Sequence, residues 1–232
     1  MRKISPDGVW NDFAAQLDEQ FAYYQKSWNT LAGADDRKIA TENYVLTIGV
    51  MFEGYVNDLI FAYANRDCSK VMEHLENSLR ACLHASPKAE AAFNKFGDFQ
   101  HRDHLTKAEL KEILDPEGRN TSFPDFGAIE DRAQQWLVAA HAQRFTNMNA
   151  QQRAVVNAAI AARNNLAHRS KSSLDRLNVA FDAGALFPTG LKRNVNLIQQ
   201  AGHYLKARPN NGDSRATILG QLLRNASEVL VH

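Results

Sequence analysis

The amino-acid sequence predicts an all-α protein of a single domain. Apolar residues recur at intervals of three and four along most of the chain, which is the spacing of one helix face. No segment shows sustained alternation of apolar and polar residues bounded by hairpin turns, so strands are not expected. With only 12 Gly and 6 Pro in 232 residues, few positions interrupt regular structure. We expect a helical bundle core at about 37–182, with additional helices in 1–36 and 183–232.

Two long amphipathic helices are predicted at the start of the chain, at about 6–31 and about 37–63. Ser5 provides an N-cap for the first helix, and Pro6 lies in its first turn, where a missing backbone N–H costs nothing. Each helix has an apolar stripe along its length, so we expect the two to pack as an antiparallel pair. The stripes consist of Val9, Phe13, Leu17, Phe21, Tyr24 and Trp28, and of Val45, Ile48, Phe52, Val56, Leu59 and Tyr63.

The rest of the chain is predicted to form shorter helices separated by polar turns. One of them begins at Thr106, because Thr106 and Glu109 stand in the relation of a capping box. It ends at the turn 115–118, and residues 119–126 are expected to form a loop. The helix at about 149–165 has the strongest signal, since it contains neither proline nor glycine. The remaining predicted helices span about 70–85, 88–99, 128–141, 172–182, 191–207 and 214–231.

Composition and charge limit the classes of function. Lys and Arg total 27 and Asp and Glu total 26, so the net charge is +1, which excludes binding of nucleic acid by bulk positive charge. No run of about 18 apolar residues predicts a membrane-spanning helix, and no secretory signal is recognised. Only two cysteines, Cys68 and Cys82, are present, which argues against a disulfide framework. We expect a cytoplasmic protein that does not bind a membrane.

The segment 161–170 places an arginine, an asparagine and a histidine at the end of a strongly apolar helix. At about 100° per residue, Asn164 and His168 lie opposite the apolar stripe, and Arg163 lies on its flank. Asn164 and His168 are also four residues apart, so their side chains can touch. The stripe consists of Val155, Ala159, Ala162 and Leu166.

These three polar side chains suit the cleavage of RNA by its own 2′-hydroxyl. A guanidinium donates to a phosphate, an imidazole gives or takes a proton near neutral pH, and an amide orients either group. The reaction needs a base at the 2′-hydroxyl, a cation at the phosphorane and an acid at the leaving oxygen. One histidine cannot easily fill both proton-transfer roles, but two copies of the chain across a twofold axis can. No acidic cluster with metal-site spacing accompanies the trio, so neither a metal nor another cofactor is expected.

The motif Arg163-Asn164-x-x-x-His168 resembles the R-x4-to-6-H signature of the HEPN superfamily (higher eukaryotes and prokaryotes nucleotide-binding domains). In that signature a polar residue, often Asn, directly follows the arginine. The helix at about 44–63 resembles the long early helix of those bundles, and the resemblance covers about 37–182. It implies a bundle of four or five helices that forms a homodimer with a composite cleft. Active members are metal-independent endoribonucleases of toxin–antitoxin, abortive-infection and other defence systems, so the resemblance also implies RNA and a cognate antitoxin or defence partner.

By this resemblance His168 is the general base or acid, Arg163 binds and polarises the phosphate, and Asn164 steadies the site. Glu53 lies on the same flank of its own helix as Arg163 does of its helix, which predicts a Glu53–Arg163 pair.

This chain departs from the family pattern at one position that concerns regulation. Members paired with a nucleotidyltransferase antitoxin often have tyrosine two positions after the histidine, where this chain has Ser170. Control by transfer of AMP to that position is therefore not implied, and such a partner is disfavoured.

Basic residues after the motif form a second, weaker pattern. The residues predicted to contact RNA are Arg169, Lys206 and Arg208. The alternative for them is a set of scattered, solvated surface charges. The basic character of the C-terminal part comes from Lys192, Arg193, Lys206, Arg208 and Arg215.

Alternatives stay open for the motif itself. Arg163 and His168 can simply complement the helix macrodipole at its C-terminal end. The same bundle can be a catalytically inactive HEPN-type module that binds RNA, a nucleotide or a protein. It can also be an inhibitor or antitoxin-like protein whose exposed face covers another chain.

A metal site and base stacking by aromatic residues are disfavoured. His101 and His104, with His84 upstream, could be imagined as metal ligands, but a polar, solvated connection explains them better. The two cysteines are expected to be small buried or half-exposed residues without a base to activate them. Core or dimer packing is expected instead of base stacking for Trp10, Trp28 and Trp136.

Overall fold

The computed structural model describes residues 3–118, 122–189 and 197–232, and in these ranges the protein is all-α. The described residues contain no strand, which confirms the predicted fold class. A short 3₁₀ helix, Pro209–Asn211, precedes the last helix. The α-helices are α1 (Pro6–Thr30), α2 (Ala34–Arg66), α3 (Ser69–His84), α4 (Pro87–Phe96), α5 (Lys107–Leu114), α6 (Phe126–Trp136), α7 (Ala139–Thr146), α8 (Ala150–His168), α9 (Lys171–Asp182), α10 (Ala201–Lys206) and α11 (Arg215–Glu228).

The first two helices form the predicted antiparallel pair. The ring of Phe13 stacks on Tyr55 with centroids 4.3 Å apart, and the ring of Tyr24 stacks on Tyr44 at 4.5 Å. The earlier residue of α1 meets the later residue of α2, so the helices run in opposite directions. The predicted N-cap is also present, since the Ser5 side chain accepts a hydrogen bond from the backbone at the start of α1.

The helix α2 lies at the centre of the core. Its last two turns, 59–65, are buried on every side. Along its length the helix packs against α1, α5, α6, α8, α10 and α11. Two of its tyrosine hydroxyls hold the end of the chain in place. Tyr55 donates to the Ser227 carbonyl at 2.8 Å, and Tyr63 donates to the Leu230 carbonyl at 2.7 Å.

The same helix is long and apolar enough to cross a membrane, which the sequence analysis did not anticipate. An 18-residue window of α2 has a mean hydropathy of 1.4, but 67% of that window is buried inside the protein. Its apolar side chains therefore have packing partners within the fold, as expected of a core helix. Among the described residues no other helix has this length and hydropathy.

One predicted helix is wrong in its extent. The single helix expected at 128–141 is two helices, α6 and α7, separated by an extended backbone at Leu137 and Val138. Leu137 is buried at this break. The change of direction allows α7 to bury Ala142 and Phe145 in the core. The sequence has neither proline nor glycine at the break, so tertiary packing decides its position.

The helix expected at 191–207 is shorter than predicted. Only Ala201–Lys206 is helical within the described part, and residues 191–196 lie outside it, as do residues 119–121 of the predicted loop. Asn178 of α9 explains why the helix does not begin earlier. Its side-chain oxygen accepts from the Ile198 N–H at 2.8 Å, and its amide nitrogen donates to the Ile198 carbonyl at 3.0 Å. Both backbone groups of Ile198 are therefore unavailable for a helix.

The tryptophan side chains pack in the core as expected, whereas one of the two cysteines is more exposed than expected. Trp10 and Trp136 are buried, and Trp28 packs half-buried against the core. Both cysteines are free; Cys68 is buried, whereas Cys82 is exposed on the second half of α3. The fully buried side chains of α3 are Val71 and Met72, at its start.

Close packing at a glycine brings α8 across α2. A Cβ at Gly49 would lie 2.6 Å from the Cβ of Arg163 and 3.6 Å from the Ala159 carbonyl oxygen. Only a residue without a side chain allows this approach. Gly54, five residues further along α2, faces open space, since an added Cβ there would meet nothing within 4 Å.

We expect Gly49→Ala to lower the free energy of unfolding by about 1–3 kcal/mol, because α8 must move away from α2. Gly54→Ala is the matched control. In this variant only helix propensity changes, which should raise the free energy of unfolding by up to about 1 kcal/mol. Urea denaturation followed by circular dichroism measures both variants against the parent protein. Equal stability of the two variants would contradict the close contact at Gly49.

Candidate active site

The end of α8 is held by a tight turn into α9. Arg169 adopts the left-handed conformation (φ 49°) and donates its backbone N–H to the Asn165 carbonyl at 2.7 Å, which closes the helix. Ser170 then caps α9 together with Ser173. The buried Asn165 amide donates to the Ser173 hydroxyl at 3.1 Å and so ties the two helices together. The position of His168, the last residue of α8, is set by this turn.

The predicted orientation of α8 is confirmed. All four residues of its apolar stripe are buried, whereas Asn164 is half-buried and His168 is exposed on the other side of the helix. Arg163 is half-buried on the flank, as its position relative to the stripe predicts. The helix continues to His168, three residues beyond the predicted end, so all three motif residues belong to one helix.

The three motif side chains line one cleft of about 410 Å³. Its walls come from the end of α8, the start of α9 and the segment 122–124. The sequence analysis did not include the residues of the last two. The sequence did contain one signal for the α9 wall. Serines are grouped at the start of the predicted helix, and an arginine follows one turn later. The lining residues outside the motif are Ser122, Pro124, Ala161, Ser170, Ser172, Ser173 and Arg176.

An ion pair fixes the motif arginine. Arg163 Nη2 lies 2.6 Å from Glu53 Oε2, and the two side chains are only 22% and 13% exposed. The other terminal nitrogen of Arg163, Nη1, donates to Asn164 Oδ1 at 2.7 Å. The predicted Glu53–Arg163 pair is therefore confirmed. It holds the guanidinium between α2 and α8, at the edge of the cleft.

The environment of Glu53 opposes its ionisation. Burial raises the pKa of Glu53 above its ordinary value, although the positive charge of Arg163 acts in the other direction. Smaller contributions from Ser122 and Phe123 also lower this pKa. A carboxyl group with a raised pKa thus contacts the motif arginine. Groups with shifted pKa values are common at functional sites.

The cations predicted to contact RNA lie outside the cleft and have protein partners. Arg169 pairs with Glu42 at 3.1 Å. Lys206 donates to the Ala34 carbonyl at 3.0 Å, at the start of α2. Arg208 donates to a backbone carbonyl within its own turn and lies over the Trp28 ring, with its guanidinium carbon 5.8 Å from the ring centroid. None of these three residues lines the cleft, and their contact with RNA stays a prediction.

The other basic residues of the C-terminal part add no group to the cleft. Arg215 donates to the carbonyls of Thr189 and Tyr204 and lies over the Tyr204 ring, so it supports the packing of α10 and α11. Lys192 and Arg193 lie outside the described residues.

Two of the three histidines considered as metal ligands contact carboxylates. His101 pairs with Glu76 and His84 pairs with Glu90, each at 2.7 Å. Across the described ranges, no group of three or more His, Cys, Asp or Glu side chains is arranged to hold a metal ion. His101 thus contacts an acidic residue of α3, and His84 contacts one of α4.

Comparison with protein-family models, with curated proteins and with solved structures finds no match to this chain. The HEPN resemblance therefore stays a prediction. It rests on the residues of α8 and on their placement in one cleft.

The raised pKa of Glu53 predicts a specific dependence of stability on pH. The stability that this group contributes is full below the ordinary glutamate pKa of about 4.3 and is lost as pH rises through the raised value. Relative to the parent protein, Glu53→Gln should therefore gain free energy of unfolding as pH rises through that interval. Urea denaturation at a series of pH values measures the difference.

A control with the opposite sign is available on α3. Hydrogen bonds from His101 and then Arg80 hold the pKa of Glu76 below its ordinary value. Glu76→Gln should therefore lose free energy of unfolding relative to the parent as pH rises through the interval between the lowered and ordinary values. The same trend in both variants would contradict the effect of burial on Glu53.

Proposed function

We propose that this chain is a metal-independent endoribonuclease of the HEPN type, which acts in the cytoplasm on single-stranded or looped RNA. The observation on which the proposal rests is the convergence of Arg163, Asn164 and His168 on one cleft. The ion pair with Glu53 supports it, because a positioned donor stabilises a transition state better than a mobile one. A toxin or antiphage defence role follows from the resemblance and includes a cognate antitoxin or defence partner.

The reaction that suits these groups is a transesterification. A general base takes the proton of the 2′-hydroxyl, the 2′-oxygen forms a bond to phosphorus, and the bond between phosphorus and the 5′-oxygen breaks. A general acid gives a proton to the departing 5′-oxygen. Arg163 donates to the oxygens of the phosphorane, and Asn164 orients the guanidinium through the hydrogen bond that it accepts. The products have 2′,3′-cyclic phosphate and 5′-hydroxyl ends.

The need for both a base and an acid supports a homodimer. Among the described residues, His168 is the one imidazole that lines the cleft. A second copy of the chain would supply the second imidazole. A suitable face lies on α2 and reaches Glu53. Its apolar side chains, here called the α2 strip, are Ile39 (53% exposed), half-buried Leu46 and Val50 (50% exposed), and exposed Asn43 lies between the first two. Apolar side chains grouped on one helix face are typical of an interface.

We expect the parent protein to cleave single-stranded RNA in the presence of EDTA and to leave the all-deoxy oligonucleotide of the same sequence intact. His168→Ala should lower the rate at least about 100-fold, because it removes the proton-transfer group. His203→Ala, which changes an exposed histidine on α10, should leave the rate unchanged. Gel analysis with end labelling and phosphatase treatment identifies the product ends.

Other results would decide between the alternatives. Cleavage of the deoxy oligonucleotide, or normal cleavage by His168→Ala, would rule out this mechanism. Binding of RNA without strand scission would instead favour a catalytically inactive HEPN-type module. A stable complex with a protein encoded beside this chain, without cleavage, would favour the antitoxin-like alternative.

The α2 strip makes a separate prediction about assembly. Val50→Asp should convert the dimer to a monomer and reduce RNA cleavage at least about tenfold, because a charge in an apolar interface is not solvated. Phe96→Asp is the matched control, since Phe96 is 81% exposed on α4, away from the cleft. Light scattering with size-exclusion chromatography measures the mass of each variant. A dimer that survives Val50→Asp, or one that is lost in Phe96→Asp, would contradict this interface.

A further inference from the structure

Arg176 is a second guanidinium in the cleft, and it lies outside the motif. Arg163 is paired with Glu53, so its charge is largely compensated at the edge of the cleft. Arg176 is exposed, and no ion pair joins it to an acid among the residues that the structure describes. The net positive charge of the cleft therefore comes mainly from Arg176, and so does its long-range attraction for an anion.

Arg176 and the motif occupy different walls of the cleft. Arg163 and His168 belong to the α8 wall, whereas Ser172 and Arg176 belong to the α9 wall. Ser172 and Arg176 are four residues apart on one helix, so they lie on the same face and can contact the same group. A planar guanidinium beside a hydroxyl suits a phosphate. The cleft volume of about 410 Å³ lies in the range of sites that hold ligands much larger than one phosphate.

We propose that Arg176, with Ser172, binds a second phosphate of the RNA strand, next to the phosphate at Arg163. The inference rests on the proposed function and names its substrate class, which is a polynucleotide strand with at least two phosphates. Arg163 and His168 act at the scissile bond. Arg176 sets the affinity for the strand and the preference for a strand over a mononucleotide.

Binding to a non-cleavable strand tests this role apart from catalysis. The probe is a fluorescent single-stranded RNA with 2′-O-methyl groups throughout, titrated with the full-length chain at several salt concentrations. Arg176→Gln should weaken binding roughly tenfold, because one charge-assisted contact is lost. It should also reduce the slope of log Kd against log salt concentration by about 0.7. The binding of a nucleoside 3′-monophosphate should change little.

A matched control lies on the same helix. Lys171 is exposed, pairs with Asp175 at 2.9 Å and does not line the cleft, so Lys171→Gln should bind both ligands as the parent does. Arg176→Lys, which keeps the charge, should retain most of the salt dependence. With a cleavable RNA, Arg176→Gln should raise KM and leave kcat within about threefold of the parent value, since the scissile phosphate is held elsewhere.

The outcomes separate this inference from the proposed function. If the parent cleaves RNA and Arg176→Gln binds the 2′-O-methyl strand as tightly as the parent, the second phosphate site is wrong and the ribonuclease proposal stands. If binding depends on Arg176 but no RNA is cleaved, the site stands and the ribonuclease proposal fails. An equal loss of strand and mononucleotide binding would place Arg176 on the same phosphate as Arg163 and overturn the inference. A parent protein that binds no strand would overturn it as well.

Discussion

The ion pair between Glu53 and Arg163 lies where α2 and α8 cross, with both side chains largely withdrawn from water. Removing two charges from water is costly, and close contact between them offsets that cost only when the geometry is good. Gly49 provides this geometry, because it allows the backbone of α8 to approach α2 one turn before Glu53. The register of α8 on α2 therefore depends on a missing side chain and on a paired charge. The position of the motif follows from that register.

Because of this ion pair, the two arginines of the cleft, Arg163 and Arg176, differ in their properties. A guanidinium that is bound to a carboxylate and to Asn164 has a defined direction but little free charge to attract an anion. Arg176 has the opposite properties, since it is exposed and lies on a different helix. Under the proposed function, orientation at the reacting bond and attraction of the strand are thus assigned to different residues. The turn at Arg169, which joins α8 to α9, keeps these two groups in one cleft.

The helix α2 links the core to the proposed assembly. Its last two turns are buried on every side, whereas its first half exposes Ile39 and Val50 on the strip beside Glu53. Exposed apolar side chains close to a cleft with one imidazole among its described residues are consistent with the proposed second copy of the chain. A shift of α2 would therefore affect the core, the buried ion pair and the proposed interface together.

Local signals in the sequence determined the starts of several helices, because a cap involves only the next few residues: Ser5, Thr106 and Ser214 each cap the helix that follows. The helical period likewise determined which side of α8 is buried and that Glu53 can meet Arg163. Tertiary structure alone decided the break at Leu137 and the extended backbone at Ile198, since distant side chains compete there with helix propensity. It also decided that Arg176 joins the motif and that Lys206 does not. The walls of a cleft come from separate helices. The apolar periodicity of one helix does not predict which other helix packs beside it.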